Sequence, residues 1–392
     1  MPSSIRKALN ELPATLYDTY ERALEGIPKE KRQHAHRLFL CLAGALRPLR
    51  AEELAELFAI DFDQDSMSNF MEGWRPENPE EAVLSTCSTL ISIIDDKGGR
   101  IVQFSHFSVK EFLISDRLRT SEVGNICDYY IPLNAAHTTL ARACLTVLLQ
   151  LDENVDKKRL EMFPLALYAA QHWAEHARYE DVASRVQSAM EELFNPTNPY
   201  LAAWVWLHDE DSQWGRRSIG SLTDLPSSPT GTALYYAALC GFSGVANYLI
   251  ITHAKDINAM SGRWGAPLHA ASFWGHLGVV YLMLQHNVDV HAKSTGYFNW
   301  TSLHLASAFG HAKVAQLLLE HGANIDALST SNGTPLKCAS ENGHLEVVRL
   351  LLSNGADVHI RDEFGYTAFQ KATNNQHVEI AQLLLEHGAE RE

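Results

Sequence analysis

Apolar positions in the second half of the chain recur with a long, regular period. Leu234, Leu268, Leu303, Leu336 and Phe369 hold one register, at spacings of 34, 35, 33 and 33 residues. The clearest unit reads Gly333-Thr334-Pro335-Leu336, Ala339-Ser340, Gly343-His344, Val347-Val348, Leu350-Leu351-Leu352 and Gly355-Ala356-Asp357. Thr-Pro opens a helix, since proline is tolerated in the first turn. Ala and Ser let two short helices approach closely, and Gly241, Gly275, Gly310 and Gly343 permit a turn that other residues resist. The leucine triplet faces a neighbouring unit, because one unit cannot bury its apolar face alone. Five such units predict a stacked solenoid over residues 231–392.

The first half follows shorter periods. Leu9, Leu12, Leu16 and Tyr20 recur at helical spacing, and Pro28 separates this helix from the next. His36 to Leu46 is apolar on most faces and reads as a buried helix. Arg47-Pro48-Leu49 breaks it, and Ala51 to Ile60 forms a short amphipathic helix. Residues 61–81 read as loop. Val83 to Ile94 runs from helix into strand, Asp95-Asp96-Lys97-Gly98-Gly99 turns, and Ile101 to Phe104 returns. Helices followed by a hairpin predict a winged-helix-like domain over residues 1–118. Residues 119–223 are expected to be helical, with Leu140 to Leu151, Ala166 to His176 and Val182 to Phe194 as the periodic stretches. Asp224-Leu225-Pro226-Ser227-Ser228-Pro229 marks a linker over 224–230. The expected class is mostly α: a winged-helix-like and helical N-terminal region, then an α-solenoid with β-hairpin tips.

The period near 33 and its internal pattern resemble the ankyrin-repeat family. A second resemblance rests on Leu12-Pro13-Ala14-Thr15-Leu16, Tyr20-Glu21, Arg47-Pro48-Leu49 and His106-Phe107-Ser108-Val109-Lys110-Glu111-Phe112-Leu113. These look like the winged-helix segment that follows the nucleotide-binding core in fungal NACHT–ankyrin proteins, a signal-transducing class of ATPase. Ala141-Arg142-Ala143-Cys144-Leu145 and Tyr168-Ala169-Ala170-Gln171-His172-Trp173 resemble the helical stretch next in those proteins. The resemblance implies a role for His106, since a winged-helix histidine near this position reaches the β-phosphate of ADP. That role requires a NACHT core, which would lie upstream of residue 1. Without one, His106 is expected only to pack at a strand-to-helix junction.

Charge and composition narrow the function. A formal net charge of −15 argues against a nucleic-acid or anionic-membrane binder, including a winged-helix DNA reader. Cys41, Cys87, Cys127, Cys144, Cys240 and Cys338 are scattered, mostly within apolar helical patterns, which fits buried thiols in a reducing compartment. With no membrane-length apolar run, the chain reads as soluble, intracellular and cytoplasmic. No phosphate loop of the Gly-x-x-x-x-Gly-Lys-Ser/Thr kind occurs. Leu90 to Asp96 imitates a Mg²⁺-holding strand, yet reads better as a wing strand. His172 and His176 sit one helical turn apart but lack a third ligand, so exposed histidines are expected rather than a metal pair. No catalytic residue, cofactor, metal or small-molecule substrate is expected, and the chain reads as non-enzymatic.

The resemblance to ankyrin repeats implies structural histidines at His269, His304, His276, His311 and His344, bonded to backbone within and between repeats. It also implies that a protein partner contacts the hairpin tips and the two residues before each turn glycine. Those pairs are Leu239-Cys240, Phe273-Trp274, Ala308-Phe309, Glu341-Asn342 and Asn374-Asn375. With the tip residues, the candidate partner-binding set is Trp264, Phe273, Trp274, Tyr297, Phe298, Trp300, Phe309, Glu341 and Asn342. Polar Gln370, Lys371, Asn374, Asn375 and Gln376 make repeat five an end cap, where the chain is expected to finish. Two readings follow: a protein-interaction module, or the regulatory and sensor half of a NACHT-type ATPase.

Overall fold

The computed structural model describes residues 16–62, 68–96, 99–152, 155–208, 229–253, 257–295, 299–330 and 333–390. Leu9 and Leu12, Lys97 and Gly98, Tyr297 and Phe298, and the linker residues 224–228 lie outside them. The described residues of Met1–Ala189 form one compact unit; those of Met190–Ser218 with Pro226–Glu392 form a second.

In the first unit, helices α1 (Leu16–Glu25) and α2 (Arg32–Gly44) precede a short strand β1 (Leu49–Arg50) and helix α3 (Ala51–Ala55). Arg47 clamps Glu53 at 2.6 and 2.8 Å, and the Arg50 N–H donates to the same carboxylate at 2.8 Å. This fixes the start of α3. Residues 61–81 are not all loop, since β2 (Ile60–Asp61) pairs antiparallel with β3 (Asn69–Phe70). Asn78 then caps α4 (Pro79–Cys87), its side chain accepting from Glu81 N–H. The wing is β4 (Ile91–Asp96) against β5 (Gly99–Phe104), with β1 on the other side of β5, all antiparallel. Leu49 and Val102 face the core, whereas Asp95 and Asp96 are exposed at the tip. The acidic end of β4 is therefore the exposed end of a wing strand, paired with Arg100 and Gly99 of β5.

Helices α5 (Phe107–Leu113) and α6 (Asp116–Arg119) follow, then α7 (Leu133–Leu148), α8 (Lys157–Glu161), α9 (Ala166–Ala177) and α10 (Val182–Arg185). The stretch Val182 to Phe194 is two helices rather than one, because Val186 leaves helical geometry (φ −113°, ψ 14°). The second piece is α11 (Gln187–Phe194). His172 and His176 are not exposed. His176 is fully buried, bonded to Tyr168 Oη at 2.9 Å and to His137 Nδ1 at 2.8 Å. Burial holds its pKa down to about 3, so it stays neutral.

The second unit adds α12 (Tyr200–Leu207), a helix apolar all round that lies within the stretch expected to be helical but was not singled out there. Trp204 lies edge-on to Phe194 and to Tyr236 of the first repeat, at 5.7 and 6.0 Å. The large apolar residues of α12 thus start the stack. Five helix pairs follow: α13 (Ala233–Cys240) with α14 (Ser243–Thr252), α15 (Pro267–Trp274) with α16 (Leu277–Gln285), and α17 (Ser302–Ala308) with α18 (Ala312–Glu320). The last two are α19 (Pro335–Asn342) with α20 (Leu345–Ser353), and α21 (Ala368–Asn374) with α22 (Val378–Glu386). Val314, Leu318, Val347, Leu351 and their equivalents are buried between neighbours. The tips are tight fingers, closed by single bridges at Ser261–Gly265 and Ser329–Gly333.

Gly241, Gly275, Gly310 and Gly343 have φ of 81°, 74°, 78° and 81°. Each is also crowded by the histidine of the next repeat: a Cβ on Gly275 would lie 2.4 Å from His311 Nδ1. Glycine is needed twice over, for the turn and for the stacking. Repeat five has Gln376 at this position with φ 63°. No described histidine stacks on it, so a side chain fits.

Candidate protein-interaction surface

The inner face is built by the ends of the first helices. The imidazole behind each turn glycine bonds back to the previous repeat: His276 Nε2 to Leu239 O at 3.0 Å, His311 to Phe273 O at 2.8 Å, His344 to Ala308 O at 2.9 Å and His377 to Glu341 O at 3.2 Å. In every case the acceptor is the residue two before the glycine. Backbone position there is fixed by its carbonyl, whatever the side chain, and the side chain is free to vary. A second set of bonds ties first helices to the next finger. His269 and His304 each accept a backbone N–H at Nδ1, from Ala266 (3.0 Å) and Thr301 (3.2 Å). Their Nε2 atoms donate to Ala292 O and Gly333 O, both at 3.0 Å. Burial lowers both pKa values to about 4. The sequence reading of these histidines as structural holds.

Repeats two and three share this arrangement, whereas in repeat four Lys337 stands where His269 and His304 do. Its ammonium is buried and reaches Asp362 of the next finger at 2.7 Å. Burial opposes ionisation of Asp362, but the Lys337 bond and backbone N–H groups hold its pKa below the usual carboxylate value. An ion pair here does the work of a neutral imidazole–carbonyl bond.

The candidate residues divide. In repeats two and three they form one cluster. Phe273 stacks on Trp264 with centroids 3.8 Å apart, and meets Trp274 and Phe309 edge-on at 5.1 and 4.2 Å. The Trp264 backbone is anchored, its main-chain N–H donating to Tyr235 Oη at 3.2 Å. The outer rims stay in solvent: Trp274 is 51% and Phe309 43% exposed. Trp300 instead stacks on His304, 6.5 Å away, with its backbone N–H on Ser294 Oγ. Glu341 sits between Lys371 (3.0 Å) and Lys337 (3.5 Å), and the Asn342 amide donates to Cys338 O at 2.9 Å. In the first repeat Leu239 and Cys240 are buried and offer nothing to a partner. Sequence reasoning missed Arg263, exposed beside the cluster with its guanidinium 5.1 Å above the Trp264 ring. Its signal was simply adjacency to Trp264.

In the first unit, His106 does more than pack at the junction. It is exposed, and its ring lies 4.3 Å from that of Phe107, which is 70% exposed. Its Nδ1 accepts from Ser108 N–H at 3.3 Å and meets Ser108 Oγ at 2.6 Å, while Tyr20 Oη meets the same hydroxyl at 2.7 Å. With Nδ1 as acceptor, the neutral ring carries its proton on Nε2, which points away from the cap. Among the described residues, no three His, Cys, Asp or Glu side chains converge as a metal site, and no helix is long and apolar enough to cross a membrane.

Comparison with known proteins agrees with this architecture. Residues 268–362 match the family "Ankyrin repeats (3 copies)" and residues 364–392 match "Ankyrin repeat". Residues 20–124 match "GPI inositol-deacylase, winged helix domain". Among curated proteins, the chain is 32% identical over 296 residues to "Azaphilone pigments biosynthesis cluster protein L" of Monascus ruber. That alignment covers 72% of this chain and 61% of the relative, so the chain spans about three fifths of that protein's length. The chain therefore carries a winged-helix domain toward its N-terminus and an ankyrin-repeat array toward its C-terminus.

Proposed function

We propose that this chain is a non-enzymatic protein-interaction module, which holds a protein partner on the inner face of ankyrin repeats two and three. One observation carries this: Trp264, Phe273, Trp274 and Phe309 form a contiguous aromatic cluster whose outer rims are exposed. Large aromatics left in solvent on a rigid scaffold are the usual anchors of protein interfaces. Their neighbours are pinned by backbone bonds, so the stack does not need them. Quantitative co-precipitation from cells, with the full chain and its Trp274→Ala variant as baits, tests the reading. At least one protein should be recovered severalfold less by the variant. Identical recovery by both baits would contradict it.

A second reading is favoured by His106: the chain would be the regulatory half of a NACHT-type signalling ATPase, the core supplied by an additional segment. The exposed Nε2–H of a tautomer set by Ser108, beside exposed Phe107, suits a surface that meets another domain. In a fusion to a competent NACHT core, His106→Ala should speed ADP release. Unchanged release would remove this reading. The chain alone is expected not to bind ATP with Mg²⁺ by calorimetry, since no phosphate loop is present in its sequence.

A further inference from the structure

We infer that the chain pairs with a second copy of itself through the exposed side of α14 and α16, the second helices of repeats one and two. This surface is separate from the aromatic cluster and does not depend on it. Neither helix holds an Asp, Glu, Lys or Arg. Each later second helix carries charge in solvent: Lys313 in α18, Glu346 in α20 and Glu379 in α22. At that same helix position α14 and α16 have Gly244 and Gly278, both exposed. Apolar side chains share the glycines' side of the helices, with Ile251 68% exposed, Tyr281 55% and Leu277 38%.

The fold does not require glycine at Gly278. Its backbone is helical, and a Cβ there would meet only Ser243 of α14, at 3.8 Å, an ordinary contact. Glycine is the poorest helix former after proline. A position with room for a side chain and none in place serves a contact outside the chain, because a missing side chain lets another backbone come close. Close approach of two helices needs small residues on both sides.

A second copy meets these conditions. It brings its own glycines to the contact and adds no charge there, so two chains of net charge −15 meet where neither presents a carboxylate. A two-fold contact sets the same patch on itself and closes. An acidic or basic partner would find no charge on these helices to pair with. The patch is small: helices of 10 and 9 residues, ~15 Å long and ~10 Å apart, span about 300 Å². Stable complexes give ~800 Å² per side, so the pairing is weak, half complete at about 10–100 µM.

Sedimentation equilibrium of the full chain, from about 1 to 300 µM, gives the test. The average mass should climb from monomer toward dimer. Raising salt should keep or strengthen the pairing, since screening relieves repulsion between acidic copies. Gly278→Leu and Tyr281→Glu should each weaken it about tenfold or more with the melting temperature kept, whereas Trp274→Ala should leave it unchanged. If Tyr281→Glu fails to fold, Gly278→Leu decides, because its position has room for the side chain. A chain that stays monomeric at 300 µM would leave this face to another partner and overturn the inference. Pairing that is lost at high salt, is indifferent to both variants, or disappears in Trp274→Ala would overturn it as well.

Discussion

The two units bury polar groups in opposite ways. In the ankyrin array the same bond is made again and again: imidazole to carbonyl across neighbouring repeats, at His276, His311, His344 and His377. In the winged-helix and helical unit each polar contact occurs once. Glu56 accepts from Leu165 N–H, 109 positions away, and from Arg75, whose guanidinium lies 4.8 Å from the rings of both Phe70 and Phe163. His137, His176 and Tyr168 form another singular set. The array can therefore vary any side chain that its repeated bonds do not use, which makes an adaptable surface. The first unit has no such surplus, and its buried charges are tied to one arrangement.

Substitutions can break this contrast. The largest effect is expected where a buried ion pair stands in place of an imidazole–carbonyl bond. Lys337→Ala leaves Asp362 buried and uncompensated, and should cost about 3–5 kcal/mol by urea unfolding. Adding Asp362→Ala should recover part of that loss; full additivity would mean that the pair does not interact. Leu318→Ala, in a fully buried position, should cost ~2–5 kcal/mol through the cavity it leaves. A loss below 1 kcal/mol would show that repeat three is loosely packed.

Acid sharpens the comparison with smaller steps. His269 and His304 titrate near 4 when folded and near 6.5 when unfolded, so the unfolded chain binds more protons between those values. Stability of the repeats should fall as pH drops from 6.5 toward 4, each histidine contributing about 1.4 kcal/mol per pH unit. Unfolding at pH 7 and 5.5 measures the slope, and His269→Gln/His304→Gln should flatten it. Glu56 has the opposite sign. Burial outweighs the pull of Leu165 N–H and Arg75 and raises its pKa to about 7, so the folded state takes the proton first. Its contribution grows as pH falls from 7 toward 4.5, and Glu56→Gln should steepen the acid loss of the first unit.

The same contrast decided what could be read from sequence. The five repeats, their turn glycines and their structural histidines were legible because each recurs in one register. The wing was legible from its alternation and turn residues. His176 was misread as exposed because its partners, Tyr168 and His137, declare nothing at helical spacing except Tyr168, eight residues before it. The break at Val186 and the pairing of β2 with β3 were missed, and helix α12 was covered only by the broad helical expectation over 119–223, for the same reason: tertiary contacts fix them. Trp264, Phe273, Trp274 and Phe309 were each visible as candidates, but their joining into one cluster is a fact of the stack. Glu341 was visible as a candidate contact, but its pairing with Lys371 of the next repeat was not.

The central claim is that the exposed aromatics on the inner face serve a partner and not the stack, and it can be measured without knowing the partner. Native-state hydrogen exchange of the Trp274→Ala chain, read at repeats two and three, gives their local unfolding free energy. A loss within ~0.5 kcal/mol of the parent is the predicted result, as for other exposed substitutions. A loss of about 2 kcal/mol or more would make Trp274 part of the core and contradict the assignment of this face as a binding surface.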